Sequence, residues 1–194
     1  MKYKSLYGSP SSIWLPQKLI VAWSKAMQFE TLYVPEGEKK SDKMTRHDMF
    51  STGLQGINNL NFGEMTTIFE RIITRCGVKR VVFVVDSDWD NISSGENVDW
   101  RPKQFFTAAK KFKNYFYGYR NSVREDGTPI ELDIFIAFGK DKAEKGIDDV
   151  LTRSLKGKES ELKEDFEKAF IDREGEGEHV RVINITTISL QRRR

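Results

Sequence analysis

Residues 81–90 read VVFVVDSDWD, so five apolar residues run directly into Asp86, Ser87 and Asp88. A buried parallel strand of this kind delivers carboxylates to its carboxyl end, where open α/β sheets take their ligands. Upstream, TLYVPEGEKK at 31–40 forms a second short apolar strand that ends in Glu36 and Gly37 and leads into a Lys-rich helical pattern. One glutamate and two aspartates, each at an expected strand end, suggest a divalent-metal site. The competing reading is a solvated turn, because Asp and Ser are ordinary turn formers.

The elements that must hold these groups follow from periodicity. IWLPQKLIVAWSKAMQF reads as a short extended piece and then a helix, with Pro16 at the boundary. After the strand at 31–36, KKSDKMTRHD is a short polar helix and MFSTGLQG a brief second strand ending in glycine, a spacing that suits a βαβ unit. Met65, Ile68, Phe69, Ile72, Ile73 and Cys76 recur at helical intervals, Asn61 and Glu64 resemble a capping box, and Gly77 closes the helix. The acidic strand spans 79–86 and opens into a long polar loop, 87–101. A helix over 102–120 puts Phe105, Ala109, Phe112, Phe116 and Tyr119 on its core stripe and Lys103, Lys110 and Lys111 on the far side. The strand ELDIFIAF at 131–138, helices at 147–155 and about 160–173, the linker REGEGEH and a last strand, VRVINITTISL, complete the chain. This order predicts an α/β fold with a mostly parallel four-stranded sheet flanked by helices.

Composition sets the bounds. The chain has 194 residues, of which 38% are hydrophobic, 12% aromatic and 31% charged, as expected of a folded, soluble domain with appendages. A net charge of +3 means that any nucleic-acid binding must come from local patches. The single Cys76 allows neither an internal disulfide nor a cysteine zinc site, and a reducing cytoplasmic setting is the simple expectation. No apolar run approaches the roughly 20 residues of a membrane span, and the start of the chain lacks a signal-peptide core. There is no G-x-x-x-x-G-K-[ST] loop, so no motor activity is legible.

Four segments in order, EGEKKSDK, TGLQGINN, VVFVVDSDWDN and KGIDDVL, together resemble the Toprim-like domain attached to primases of phages, plasmids and other mobile elements. The resemblance spans about residues 31–155, which sets an expected organisation: an N-terminal extension, 1–30; a Toprim-like core, 31–155; and a C-terminal helix and strand extension, 156–194. In Toprim domains one Glu follows the first strand and a D-x-D follows the third. Glu36 matches the first, and Asp86 and Asp88 match the second. The resemblance therefore implies Asp86 and Asp88 as ligands of Mg²⁺ (or Mn²⁺), whose role would be to neutralise charge on phosphate oxygens. Alternate residues of an extended segment point the same way, so the pair could reach one ion while Ser87 points elsewhere. Glu36 would act as a general acid or base, or would complete the metal shell, and the sequence leaves both roles open.

Other residues carry two readings each. Asp90 is a third ligand or a loop residue. Asp148 and Asp149, in the family-like KGIDD, approach the same crevice or merely favour a helix N-terminus, and Lys145 precedes them. Glu38 lies past Gly37, where a carboxylate also suits a helix start. Lys39, Lys40, Lys43, Lys140, Lys142 and Lys145 either line a phosphate-binding rim or are simply solvated. Gly37, Gly53 and Gly56 read as turn glycines. His47 and His179 lack a His or Cys partner at metal spacing, and Arg192, Arg193 and Arg194 form a basic tail.

The resemblance implies a metal-dependent nucleotidyltransferase of the primase type, acting on template DNA and nucleotides in replication, with a replicative helicase or other primase domains as partners and no membrane. Because full primases of this kind carry further parts, an isolated domain or a piece of a larger protein is expected, with little activity alone. The alternatives are a non-catalytic Toprim-like scaffold that binds DNA or replication proteins, and a Toprim-type metal-dependent nuclease. A haloacid-dehalogenase-type phosphatase also uses D-x-D after a strand, but its acidic strand opens the domain, whereas here a βαβ unit precedes it.

Overall fold

Three neighbouring strands, β2 (Thr31–Pro35), β4 (Arg80–Val85) and β5 (Asp133–Gly139), are apolar at nearly every position and run parallel. The reason is burial on both faces. Leu32, Val34, Val81, Phe83, Val85, Ile134, Ile136 and Phe138 enter one core cluster, while Tyr33, Val82, Val84, Phe135 and Ala137 enter the other. In the computed structural model, which describes residues 13–56, 64–87, 92, 95–116, 127–170 and 174–186, helices cover both sides. The first cluster is closed by α1 (Gln17–Ser24), α3 (Glu64–Arg75) and α4 (Trp100–Asn114), through Leu19, Phe69, Ile72, Ile73, Phe105, Ala109 and Phe112. The second is closed by α2 (Glu38–Arg46), α5 (Ile147–Thr152) and α6 (Glu161–Ala169), through Met44, Ile147, Val150, Leu151, Leu162 and Phe166.

The α/β expectation holds in its coarse form, with a sheet of five strands in the order β2-β4-β5-β7-β6. It is mixed, not mostly parallel and four-stranded: β7 (Val180–Asn184) runs antiparallel to β5, and β6 (Glu174–Glu176) antiparallel to β7. Only residues 177–179 separate β6 from β7, far fewer than the dozen or more that a parallel crossover needs. The expected linker REGEGEH therefore contains a strand. The segment 49–56 also behaves differently from expectation. Its strand β3 (Gly53–Leu54) pairs antiparallel with β1 (Ile13–Trp14) in a separate small sheet and meets β2 only at the bridges Tyr33–Ser51 and Glu36–Leu54.

Two further differences concern polar groups. Lys110, expected on the solvated side of α4, is buried and lies 5.4 Å from the Phe106 ring centre, and Lys113 is buried as well. Desolvation holds both ammonium groups below the usual lysine pKa. Asp165 on α6 is buried, and its carboxylate accepts backbone N–H bonds from Glu178, His179 (2.8 Å) and Val180 (3.0 Å). This anion ties the β6–β7 hairpin to α6, through charge-assisted bonds stronger than neutral ones. Tyr119 and the Asn61 half of the expected capping box lie outside the described residues.

Tyr33 is the clearest local defect. Its ring packs on Phe166 at 4.9 Å, yet its buried hydroxyl reaches no hydrogen-bond partner among the described residues. Burial, and then the nearby Glu167, push the phenol pKa above its ordinary value. A buried unsatisfied hydroxyl costs about 1–3 kcal/mol. Tyr33→Phe, which keeps the ring, should raise unfolding free energy by about 1 kcal/mol in urea titrations. A phenol whose folded pKa exceeds its unfolded value loses stability as pH rises past the free value of about 10. The variant should therefore show a shallower alkaline decline, and a loss of stability at neutral pH would mean that the hydroxyl is satisfied.

Candidate functional site

Parallel pairing brings the two acidic strand ends side by side. Pro35 pairs with Val84, and the Glu36 amide donates to the Val84 carbonyl at 3.4 Å, so Glu36 leaves β2 one register step before Asp86 leaves β4. Both apolar runs stop here, and the first polar residues emerge where open α/β sheets take ligands. Asp88 and Asp90 lie outside the described residues.

Each described carboxylate has a cation in the chain. Asp86 forms an ion pair with Lys40 from the first turns of α2, the two side chains being 19% and 18% exposed. Glu36, 22% exposed, meets Arg101 of α4 at 3.2 Å. The Lys40–Asp86 pair, withdrawn from solvent on both sides, is screened less than a surface one, and removing one partner leaves the other charge poorly solvated, whereas Arg101 is exposed. Arg101 carried no sequence signal, since it stands 65 residues from Glu36. Lys40 belonged to the expected phosphate rim, and the structure instead commits it to Asp86.

The loop before α5 closes the third side. The Ser87 amide donates to the Lys145 carbonyl (2.7 Å), and the buried Ser87 hydroxyl donates to the Glu144 carbonyl (3.0 Å). Ser87 thus anchors this loop against the end of β4. A Cβ on Gly146 would lie 2.5 Å from Asp148 Oδ1 and 2.9 Å from Lys40 Nζ, so the Asp148 carboxylate and the Lys40 ammonium converge at that glycine. Lys43 donates to the Asp148 carbonyl at 3.1 Å. Asp149 serves the local structure, since its carboxylate accepts the Gly146 amide (3.4 Å) as a helix cap and faces Arg153 at 3.9 Å. The Lys145 side chain is exposed, and its carbonyl holds the Ser87 amide.

Helix α2 delivers Lys40 and Lys43, and buried hydroxyls seat it. Ser51 Oγ lies 3.0 Å from Ser41 Oγ and 2.9 Å from Thr45 Oγ1, and donates to the Ser41 carbonyl at 2.7 Å. Gly37 turns the chain from β2 into α2 with φ +101°, a region that disfavours any side chain, and its amide donates to the Leu54 carbonyl (2.9 Å). The turn glycines expected from sequence are thus partly contact glycines, for Gly53 lies directly against Gly37.

Hard oxygen donors on adjacent strand ends suit Mg²⁺, which commonly takes one or two carboxylates and keeps several waters. Among the described residues no group of three or more His, Cys, Asp or Glu side chains gathers closely enough to hold a metal. His47 and His179 join no such group. No described helix is long and apolar enough to cross a membrane. Comparisons with protein-family models, with curated proteins and with solved structures gave no match. Fold and site together define a three-layer mixed α/β protein with paired acidic strand ends at the carboxyl edge of its parallel strands.

Gly53 offers a direct test of how the Glu36 turn is held. A Cβ there would stand 2.7 Å from the Gly37 carbonyl oxygen and 3.2 Å from Glu38 Cα, both backbone atoms. Gly53→Ala should cost about 1–3 kcal/mol, the usual penalty of overpacking, in thermal or urea unfolding. It should also shift the amide resonances of residues 36–38. An unchanged stability would mean that the turn relaxes freely.

Proposed function

We propose that this chain is a Toprim-like domain of a mobile-element primase, carrying out Mg²⁺-dependent nucleotidyl transfer on a DNA template. The observation that carries the reading is the arrival of Glu36 and Asp86 at the carboxyl ends of adjacent parallel strands, with Lys40, Arg101 and Asp148 around them. In this reading Asp86 and Asp88 hold the metal ion, which would stabilise charge on the reacting phosphate. Glu36 moves a proton at the attacking hydroxyl or joins the ligand set. Arg101 keeps the Glu36 carboxylate oriented toward the cleft edge. Lys40 compensates the Asp86 charge, a role that a bound metal ion would share. Template DNA, nucleotides, and a helicase or further primase domains are the partners this activity would require.

Asp86→Asn/Asp88→Asn, with folding verified by circular dichroism, should abolish calorimetric Mn²⁺ or Mg²⁺ binding and reduce templated primer synthesis by at least about a hundredfold, in the range of lost electrostatic stabilisation. Unchanged synthesis and metal binding would overturn the reading. Cleavage of DNA without added nucleotides would instead identify the nuclease alternative.

One observation favours a second reading, the non-catalytic scaffold: Asp86 and Glu36 each already have a protein cation. Lys40→Ala separates the two. If Asp86 is a metal ligand, removing the competing ammonium should tighten Mn²⁺ binding severalfold in the same calorimetric titration. If the ion pair is only structural, the variant should lose about 1–3 kcal/mol of stability, as when a partly buried charge loses its partner, and gain no metal affinity.

A further inference from the structure

Beside the acidic strand ends, on the side away from Glu36, lies a recess of about 320 Å³ bordered by Ser87, Phe138, Lys140, Lys142, Glu176 and Arg181. We infer that this recess is a phosphate-binding pocket for the nucleic-acid substrate, built by Lys140, Lys142 and Arg181. This inference rests on the nucleic-acid reading above and adds a binding site to it.

The placement follows from the sheet. In the order β2-β4-β5-β7, Glu36 and Asp86 stand at the ends of the first two strands, and Gly139 and Arg181 at the same end of the next two. The antiparallel direction of β7 is decisive, because it makes the start of that strand, with Val180 opposite Gly139 and Arg181 opposite Phe138, face the site. At about 4.8 Å per strand, the Arg181 position is roughly 10 Å from the end of β4. Ser87 joins the two features: it borders the recess and directly follows Asp86.

The chemistry of the lining suits an anion. Among the described lining residues, three cations and one carboxylate give a formal charge of +2. Glu176 sits 3.1 Å from Lys140 and 3.9 Å from Arg181, and Lys140 also donates to the Gly177 carbonyl at 3.1 Å. Arg181 lies over the Phe138 ring at 5.6 Å. These contacts hold Lys140 and Arg181 around the recess and reduce the entropy lost when an anion arrives. Arg offers a planar fork to phosphate oxygens and Lys a point charge, the two ways proteins commonly hold phosphate. The same hairpin is clamped by Asp165, so the pocket sits on a fixed element.

The test measures binding of a fluorescein-labelled single-stranded oligonucleotide by anisotropy across a salt series in EDTA, which removes any contribution of a metal. Compared with wild type, Lys142→Ala/Arg181→Ala should bind about tenfold more weakly, and its salt slope should fall by roughly 0.7 for each phosphate it no longer neutralises. Glu176→Gln, which raises the lining charge while keeping a hydrogen-bonding side chain, should bind more tightly. Displacement of the oligonucleotide by a nucleoside triphosphate would assign the pocket to nucleotide phosphates, and resistance to displacement to the strand backbone. An unchanged affinity and salt slope in the double variant would overturn the proposal, as would absence of oligonucleotide binding by the wild type. Because the oligonucleotide is titrated in EDTA and the metal site is read separately by calorimetry, a failed metal site and a failed phosphate pocket give different results.

Discussion

Burial of the parallel strands on both faces is the constraint from which the rest follows. With helices on each side of β4, every residue from Val81 to Val85 is enclosed, and a polar side chain along such a strand costs free energy unless it finds a partner. Polar chemistry is confined to the rims of the sheet. At the carboxyl rim the chain changes character abruptly, from Val85 to Asp86 and from Pro35 to Glu36, and after Glu36 the single residue Gly37 leads into α2. The site is concentrated because the core excludes its components from everywhere else.

Several of the described charges at that rim are paired. Asp86 has Lys40, Glu36 has Arg101, Asp149 faces Arg153, and Lys140 and Arg181 share Glu176. Pairs of this kind contribute little net stability when exposed, but those of Asp86 and Glu36 are partly withdrawn from solvent and fix side-chain positions. A cleft lined by paired charges can exchange an internal cation for a ligand at smaller cost than a cleft of unpaired ones would incur on forming. The backbone supports serve the same end: the Ser87 bonds to residues 144 and 145, the contact of Gly53 with Gly37, and the hydroxyl cluster beneath α2.

Much of this was legible in one dimension. The apolar runs at 31–35 and 80–85, the helical stripe through Phe69, Ile72, Ile73 and Cys76, and the Pro16 boundary before α1 are local patterns that burial enforces wherever the chain goes. Other features misled for equally physical reasons. Segment 49–56 carries strand-like residues, but its strand β3 pairs with β1 in a separate small sheet and meets β2 through isolated bridges. Lys110 reads as a solvent residue by type, yet its aliphatic stem is long enough to be buried beside Phe106.

The sequence by itself determined the α/β class, the two-sided burial of the central strands and the emergence of Glu36 and Asp86 at strand ends, because alternation and run length express burial directly. Only the tertiary structure decided which charges meet. Lys40 reaches Asp86 across 46 positions and Arg101 reaches Glu36 across 65, and no local periodicity encodes such distances. It likewise decided that β7 runs antiparallel and brings Arg181 to the rim beside Asp86. That orientation depends on a hairpin too short for a crossover and on a buried aspartate, Asp165, whose partners are backbone amides and therefore leave no trace in side-chain identity.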